Sequence, residues 1–105
     1  MSPSGRITIL GSGTSHGVPM IGCACAVCSS GDARDVRWRA SIYIELPDGL
    51  RVLVDTTPDL RQQALREKLW RCDGIVYTHN HVDHIFGLDE VRRFNAAMQA
   101  PIDVY

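Results

Sequence analysis

The chain has 105 residues, 11 basic against 12 acidic, a formal net charge of −1 and 45% hydrophobic residues. This is at most one domain, near the smallest size at which a single core suffices. The charge balance supplies no overall field to recruit nucleic acid or an anionic membrane. No apolar stretch approaches a membrane span, and Met1-Ser2-Pro3-Ser4-Gly5-Arg6 lacks a signal-peptide core, so the cytoplasm is the expected compartment.

Arg6 to Leu10 has the β-branched content of a first strand, and Gly11-Ser12-Gly13-Thr14-Ser15 ends it with turn residues. This glycine-rich turn reads equally as a plain connection or as a loop facing substrate. It lacks the full dinucleotide fingerprint and the lysine of a P-loop. His16, in the loop that follows, reads first as a hydrogen-bonded structural residue, with a place near an active site as the lesser alternative.

Cys23, Cys25 and Cys28 put three thiols within six residues, flanked by Gly22 and Ser29-Ser30-Gly31. Three thiolates on one tetrahedral zinc is the leading reading, and a closed structural site needs a fourth ligand. A Cys25-x-x-Cys28 redox pair and a disulfide loop stay open beside it. Cys72 stands alone before a strand and is expected to be a small buried apolar residue. Metal bound to the thiol loop would contribute to its folding.

Asp32 to Arg39 alternates in charge and predicts a solvated connector, with Trp38 free to stack on a base but too isolated to make a nucleic-acid surface. Ala40 to Leu46 alternates cleanly as a half-buried strand, Pro47-Asp48-Gly49 turns, and Leu50 to Asp55 returns as the partner of a hairpin. Asp55 could cap the next helix, although Thr57 before Pro58 is the better cap. That helix is predicted from Pro58 to about Leu69, packing through Leu60, Ala64, Leu65 and Leu69, with Arg61, Gln62, Arg66 and Lys68 outward.

Gly74 to Thr78 reads as a short buried strand, and Thr78-His79-Asn80-His81-Val82-Asp83-His84 follows at its carboxyl end. Three imidazoles and a carboxylate in so few positions are the donors of zinc or a similar divalent ion. In extended chain His79 and His81 share a face and can converge on one ion, while a turn after Val82 would aim Asp83 and His84 at a second. Two adjacent ions would stabilise both the attacking and leaving oxygens of a displacement. A helix is expected from Asp83, with Leu88, Val91 and Phe94 inward and Arg92-Arg93 outward or toward a substrate phosphate, before a last strand beyond Pro101.

The stretch THNHVDH, with Gly87 and Leu88 after it, resembles the His-x-His-x-Asp-His signature of the metallo-β-lactamase superfamily. The order of elements is similar to the first half of that superfamily's αββα sandwich, an α/β fold with a mixed sheet. By this resemblance residues 1–105 are the N-terminal portion of a single domain, incomplete at its C-terminus, whose remaining metal ligands come later. His79 and His81 would then bind the first of two divalent metals, zinc or manganese, and Asp83 and His84 the second, with Asp83 also assigned to catalysis. Asp55 would support the histidine loop by hydrogen bonds.

Within the superfamily, Gly11 to Pro19, the cysteine run and Val54-Asp55-x-x-Pro58-Asp59-Leu60-Arg61 look most like the phosphoribosyl cyclic phosphate phosphodiesterase group. There the three cysteines hold a structural zinc. The implied function is a metal-dependent phosphodiesterase that opens a small cyclic phosphate by attack of a metal-bridging hydroxide. The implied partners are a small phosphodiester substrate and a possible second copy as a homodimer, with no membrane and no nucleic acid. Two alternatives stand beside this: a tRNA 3′-end-processing nuclease, and a non-catalytic zinc or nucleic-acid-binding module.

Overall fold

A computed structural model describes residues 4–78 and 82–105, with Val82 and Asp83 in backbone only. Five strands form one mixed sheet in the order β1 (Arg6–Gly11), β2 (Ser41–Glu45), β3 (Arg51–Val54), β4 (Gly74–Val76) and β5 (Asp103–Val104). β1 to β3 run antiparallel through the Pro47-Asp48-Gly49 turn, whereas β3, β4 and β5 are parallel neighbours. Parallel pairing requires a crossover. The first is α1 (Leu60–Glu67); the second runs through α2 (Val82–Ile85), a 3₁₀ segment Phe86–Val91 and α3 (Arg92–Met98).

The helices cover one face of the sheet. Beneath them Leu10, Tyr43, Leu53 and Ile75 pack with Leu60, Cys72, Val91 and Phe94 as the core. Leu10 reaches this layer by the alternation of the strand, following Ile9 on the open face and sharing the side of Thr8, which pairs with Tyr43; the register of β1 shifts only beyond Ile9. On the other face the register aligns Ile7 with Ile44 and Val52, and Ile9 with Ile42, Val54 and Val76. Ile7 and Ile9 are 64% and 63% exposed there. A mixed sheet with helices on one side and an aliphatic face on the other has the α/β architecture expected for the first half of a metallo-β-lactamase-type sandwich.

Several expectations shift in detail. The alternation of β2 is present, but the helix side takes Ser41 and Tyr43, while the isoleucines line the open face. α1 begins at Leu60, two residues after Pro58; Thr57, the expected cap, accepts at its hydroxyl from the Asp59 N–H at 3.1 Å, while the Asp59 carboxylate accepts from the Arg39 N–H and guanidinium, both at 2.9 Å. Leu60, Ala64 and Leu69 pack on the core as expected, but Leu65 is 60% exposed and Gln63 is fully buried in its stead. Gln63 is satisfied inside by donating to the Arg39 carbonyl and accepting from Thr57 Oγ1.

The second helix is broken into three pieces. Val91 and Phe94 are buried as expected, whereas Leu88 is exposed. Trp38 stacks under the Arg66 guanidinium, 4.8 Å from the ring centroid, an intramolecular cation–π contact in place of a base. Among the described residues no helix is long and apolar enough to cross a membrane.

Candidate metal centre

The carboxyl ends of β3 and β4 lie side by side, and the side chains just past them meet. Asp55 follows β3 with φ 66°, in the left-handed region that Asp tolerates better than most residues. Its carboxylate faces the segment after β4. Oδ1 accepts from the Thr78 N–H at 2.9 Å, and Oδ2 accepts from Thr78 Oγ1 at 2.8 Å and meets His84 Nδ1 at 2.6 Å. Asp55 is 4% exposed. Burial, the largest single influence, pushes the Asp55 carboxyl up, yet the Thr78 N–H, His84 and the Thr78 hydroxyl together hold it below its ordinary value.

A carboxylate offers only lone pairs, so the ring nitrogen facing it carries the hydrogen. His84 therefore donates Nδ1–H to Asp55, which fixes the ring with Nε2 on the side away from the carboxylate, the orientation typical of metal-binding histidines. His79, His81 and the side chain of Asp83 lie outside the described residues.

The turn that carries His84 is clamped from below by a residue that hydropathy did not single out. The Thr56 N–H donates to the His84 carbonyl at 2.8 Å, Thr56 Oγ1 donates to the Ile85 carbonyl at 3.2 Å, and the Thr56 carbonyl accepts from the Gly87 N–H at 2.9 Å. Tyr77 closes the network, its hydroxyl 2.7 Å from Thr56 Oγ1. Gly87 sits so close to the Thr57 carbonyl that no Cβ fits between them. The sequence signal was indirect: two consecutive threonines, Thr56 and Thr57, after a strand-ending acid, both fully buried in the structure.

The cysteine loop forms a second constellation. One ligand atom each from Cys23, Cys25 and Cys28 lies within 4.8 Å of the others, close enough for three thiolates to share one ion. The loop turns sulfur inward by backbone donation. The Cys28 N–H points to Cys25 Sγ and the Met20 N–H to Cys28 Sγ, each at 3.4 Å. Cys25 is pulled down to about 7, chiefly by the Cys28 N–H and then by the neighbouring thiols. At Cys28 the Met20 N–H, the largest single influence, pulls the thiol down, but Cys23, desolvation and Cys25 together move it up. Adjacent thiols cannot all ionise alone, and a shared cation removes that conflict.

Cys72 is fully buried, donates to the Gly74 carbonyl, and is pushed up to about 11 by burial. The turn after β1 brings Gly13 against the Trp38 carbonyl, to which its N–H donates at 2.7 Å, so these glycines allow backbone to approach backbone. His16 is exposed in that turn. Arg92 and Arg93 line an outer groove between α3 and α1.

Comparison with known proteins places this architecture. Residues 50–105 match the protein family described as Beta-lactamase superfamily domain. A crystal structure of a diphosphatase from the PhnP family is 52% identical and superposes with a TM-score of 0.88, over 97% of this chain and 41% of that one. An octanoyltransferase of Porphyromonas gingivalis is 49% identical over 87 residues, 83% of this chain but 18% of that protein. Coenzyme PQQ synthesis protein B of Rhodopseudomonas palustris is 32% identical over 114 residues, 95% of this chain and 35% of its own length. The chain thus spans well under half of each relative. With the parallel β3–β4 pair, the Asp55–His84 contact and a family match from Leu50 to Tyr105, the chain belongs to the metallo-β-lactamase superfamily.

Proposed function

We propose that this chain supplies the first half of the active site of a metal-dependent phosphodiesterase acting on a small cyclic phosphate. The observation that carries the reading is His84, whose Nδ1 is tied to a buried carboxylate at 2.6 Å, the support that orients metal-binding histidines. The donor set fits. His79, His81, Asp83 and His84 would hold two divalent ions, zinc or manganese, and Cys23, Cys25 and Cys28 a structural zinc. When bound, the catalytic ions supply an activated water at neutral pH and neutralise charge on the phosphate oxygens.

The chain's own residues do the positioning. Asp55 fixes the ring of His84, Thr78 fixes Asp55, and Thr56 holds the turn between them. The family resemblance implies further ligands absent from these residues, so activity belongs to the completed domain. A second reading is hydrolysis of a diphosphate, favoured by the 52% identical diphosphatase. A tRNA-processing nuclease and a non-catalytic zinc module are the remaining alternatives.

The test assays the chain, within the longest product of its reading frame, against a phosphoribosyl cyclic phosphate, a nucleoside diphosphate ester and a precursor tRNA, with zinc or manganese added. The expected result is metal-dependent opening of the cyclic phosphate that is lost in His79→Ala with the fold retained. Preferential cleavage of the diphosphate or the tRNA would replace the substrate assignment. No hydrolysis and no metal at the histidine loop would overturn the enzyme reading in favour of the binding module.

A further inference from the structure

The helical layer carries a groove that the proposed metal chemistry does not use. It lies between α1 and α3, with a volume of about 550 Å³, within the range of binding clefts. Its apolar lining is formed by Leu65, Leu69, Trp70 and Phe94. Leu65 is 60% and Trp70 72% exposed, so two large apolar side chains stand open beside a partly buried floor. An exposed tryptophan contiguous with other apolar side chains is a frequent anchor of binding surfaces.

The rim is predominantly basic. Arg61, Arg92 and Arg93 surround the groove and Glu90 is the one acid among its lining residues. Arg61 and Arg93 have no ion-pair partner among the described residues, and Arg92 has only Asp89 at 3.3 Å, a pair more than three-quarters exposed and of small energetic weight. A chain of net charge −1 therefore concentrates cations where it also exposes apolar surface. Guanidinium groups flanking a hydrophobic cleft fit carboxylates in bidentate geometry, and a cleft between two helices accepts a segment with apolar anchors on one side.

We propose that the α1–α3 groove docks an acidic peptide segment of a partner protein, with apolar side chains seated against Leu65 and Trp70 and carboxylates on Arg61 and Arg93. The site is separate from the metal chemistry and does not depend on it.

The test is a titration of the protein with a synthetic amphipathic peptide bearing leucines and a phenylalanine on one face and glutamates on the other. Tryptophan fluorescence is followed in the wild type and in Trp38→Phe, which leaves Trp70 as the reporter. Saturable binding that weakens with salt is expected, falling at least about tenfold in an Arg61→Glu, Arg93→Glu double variant. Circular dichroism of the double variant should match the wild type, since both arginines are exposed. Trp70→Ala gives an independent arm, read by calorimetry, and should weaken binding without unfolding the protein. Equal binding of a peptide with lysines in place of the glutamates, or no binding at all, would overturn the proposal. Self-association that protects Trp70 in the absence of peptide would overturn it too, by assigning the groove to a second copy.

Discussion

Replacing Asp55 by Asn changes one atom and inverts the hydrogen bonding of the centre. Asp55 Oδ1 would be retained as the Asn carbonyl, still accepting from the Thr78 N–H at 2.9 Å. At the position of Oδ2, which accepts from the Thr78 hydroxyl and from His84 Nδ1, an amide NH₂ can only donate. The threonine hydroxyl can turn to accept. The imidazole can comply only by moving its hydrogen from Nδ1 to Nε2, the nitrogen proposed to face the metal.

The cost can be bounded. Two bonds to a buried carboxylate, each worth about 1.5–3 kcal/mol, become neutral bonds worth about 0.5–1.5 kcal/mol, so metal-free Asp55→Asn should lose about 1–3 kcal/mol of stability. For a chain of this size that lowers the melting temperature by roughly 5–20 °C. The larger consequence is chemical: affinity for metal at the histidine site should fall about 10–100-fold, the usual effect of removing a carboxylate behind a ligating histidine. Urea unfolding of the metal-free proteins reads the first quantity, nitrogen-15 spectra of the imidazoles read the tautomer, and a zinc titration reads the second. If the variant kept the Nδ1–H tautomer, or bound metal as tightly as the wild type despite the altered bond, Asp55 would not position His84 and the reasoning would fail.

Gly87→Ala should destabilise by about 3 kcal/mol and displace the turn carrying His84, because its Cβ would overlap the Thr57 carbonyl, which is backbone and cannot swing aside. Gly74→Ala, whose Cβ would meet nothing nearer than 3.8 Å, should change stability by less than about 1 kcal/mol, and comparable losses at both positions in urea unfolding would refute this. Alkylation of the metal-free native protein should label Cys25 first, near and above the pH of about 7 to which its neighbours pull it, while Cys72 stays silent until unfolding. Stoichiometric zinc should protect Cys23, Cys25 and Cys28 together; labelling of Cys72 at the same rate as these three in mass spectra would contradict its buried place.

Alternation located β2, helical spacing the first crossover helix, and β-branched content, a short apolar run and turn residues the other strands. Periodicity failed where a polar side chain finds an internal partner. Gln63 lies inside because the Arg39 carbonyl and Thr57 hydroxyl satisfy it, and Leu65 is left outside on the opposite side of the turn. It failed again at Phe86–Val91, where the helix gives way to 3₁₀ geometry as Gly87 docks on Thr56 and Thr57, a long-range contact invisible to local pattern. The donor types of the histidine motif and the thiol loop were legible because the proposed ligands lie close together in sequence. Thr56 was not, since its role is to hold main-chain atoms of a segment about thirty residues away.

The backbone at Asp55 shows why this position is an acid. A left-handed turn is cheapest with glycine, and a non-glycine residue held there costs about 1–2 kcal/mol. The scaffold compensates on both sides. The Asp55 N–H donates to the Val76 carbonyl at 2.9 Å, and Ser41 Oγ bridges the Val54 and Asp55 carbonyls at 2.9 and 3.0 Å. With the main chain pinned between β2 and β4, the turn sends Thr56 and Thr57 under α2 and leaves the carboxylate pointing across the sheet end at Thr78 and His84. Glycine would relieve the strain and remove the carboxylate that meets His84 Nδ1. Where local propensity and chemistry disagree and the structure supports the costlier choice, the choice marks function. Here it places the positioning of His84 at the carboxyl ends of β3 and β4, in Asp55 and Thr78, with Ser41 of β2 bracing the turn.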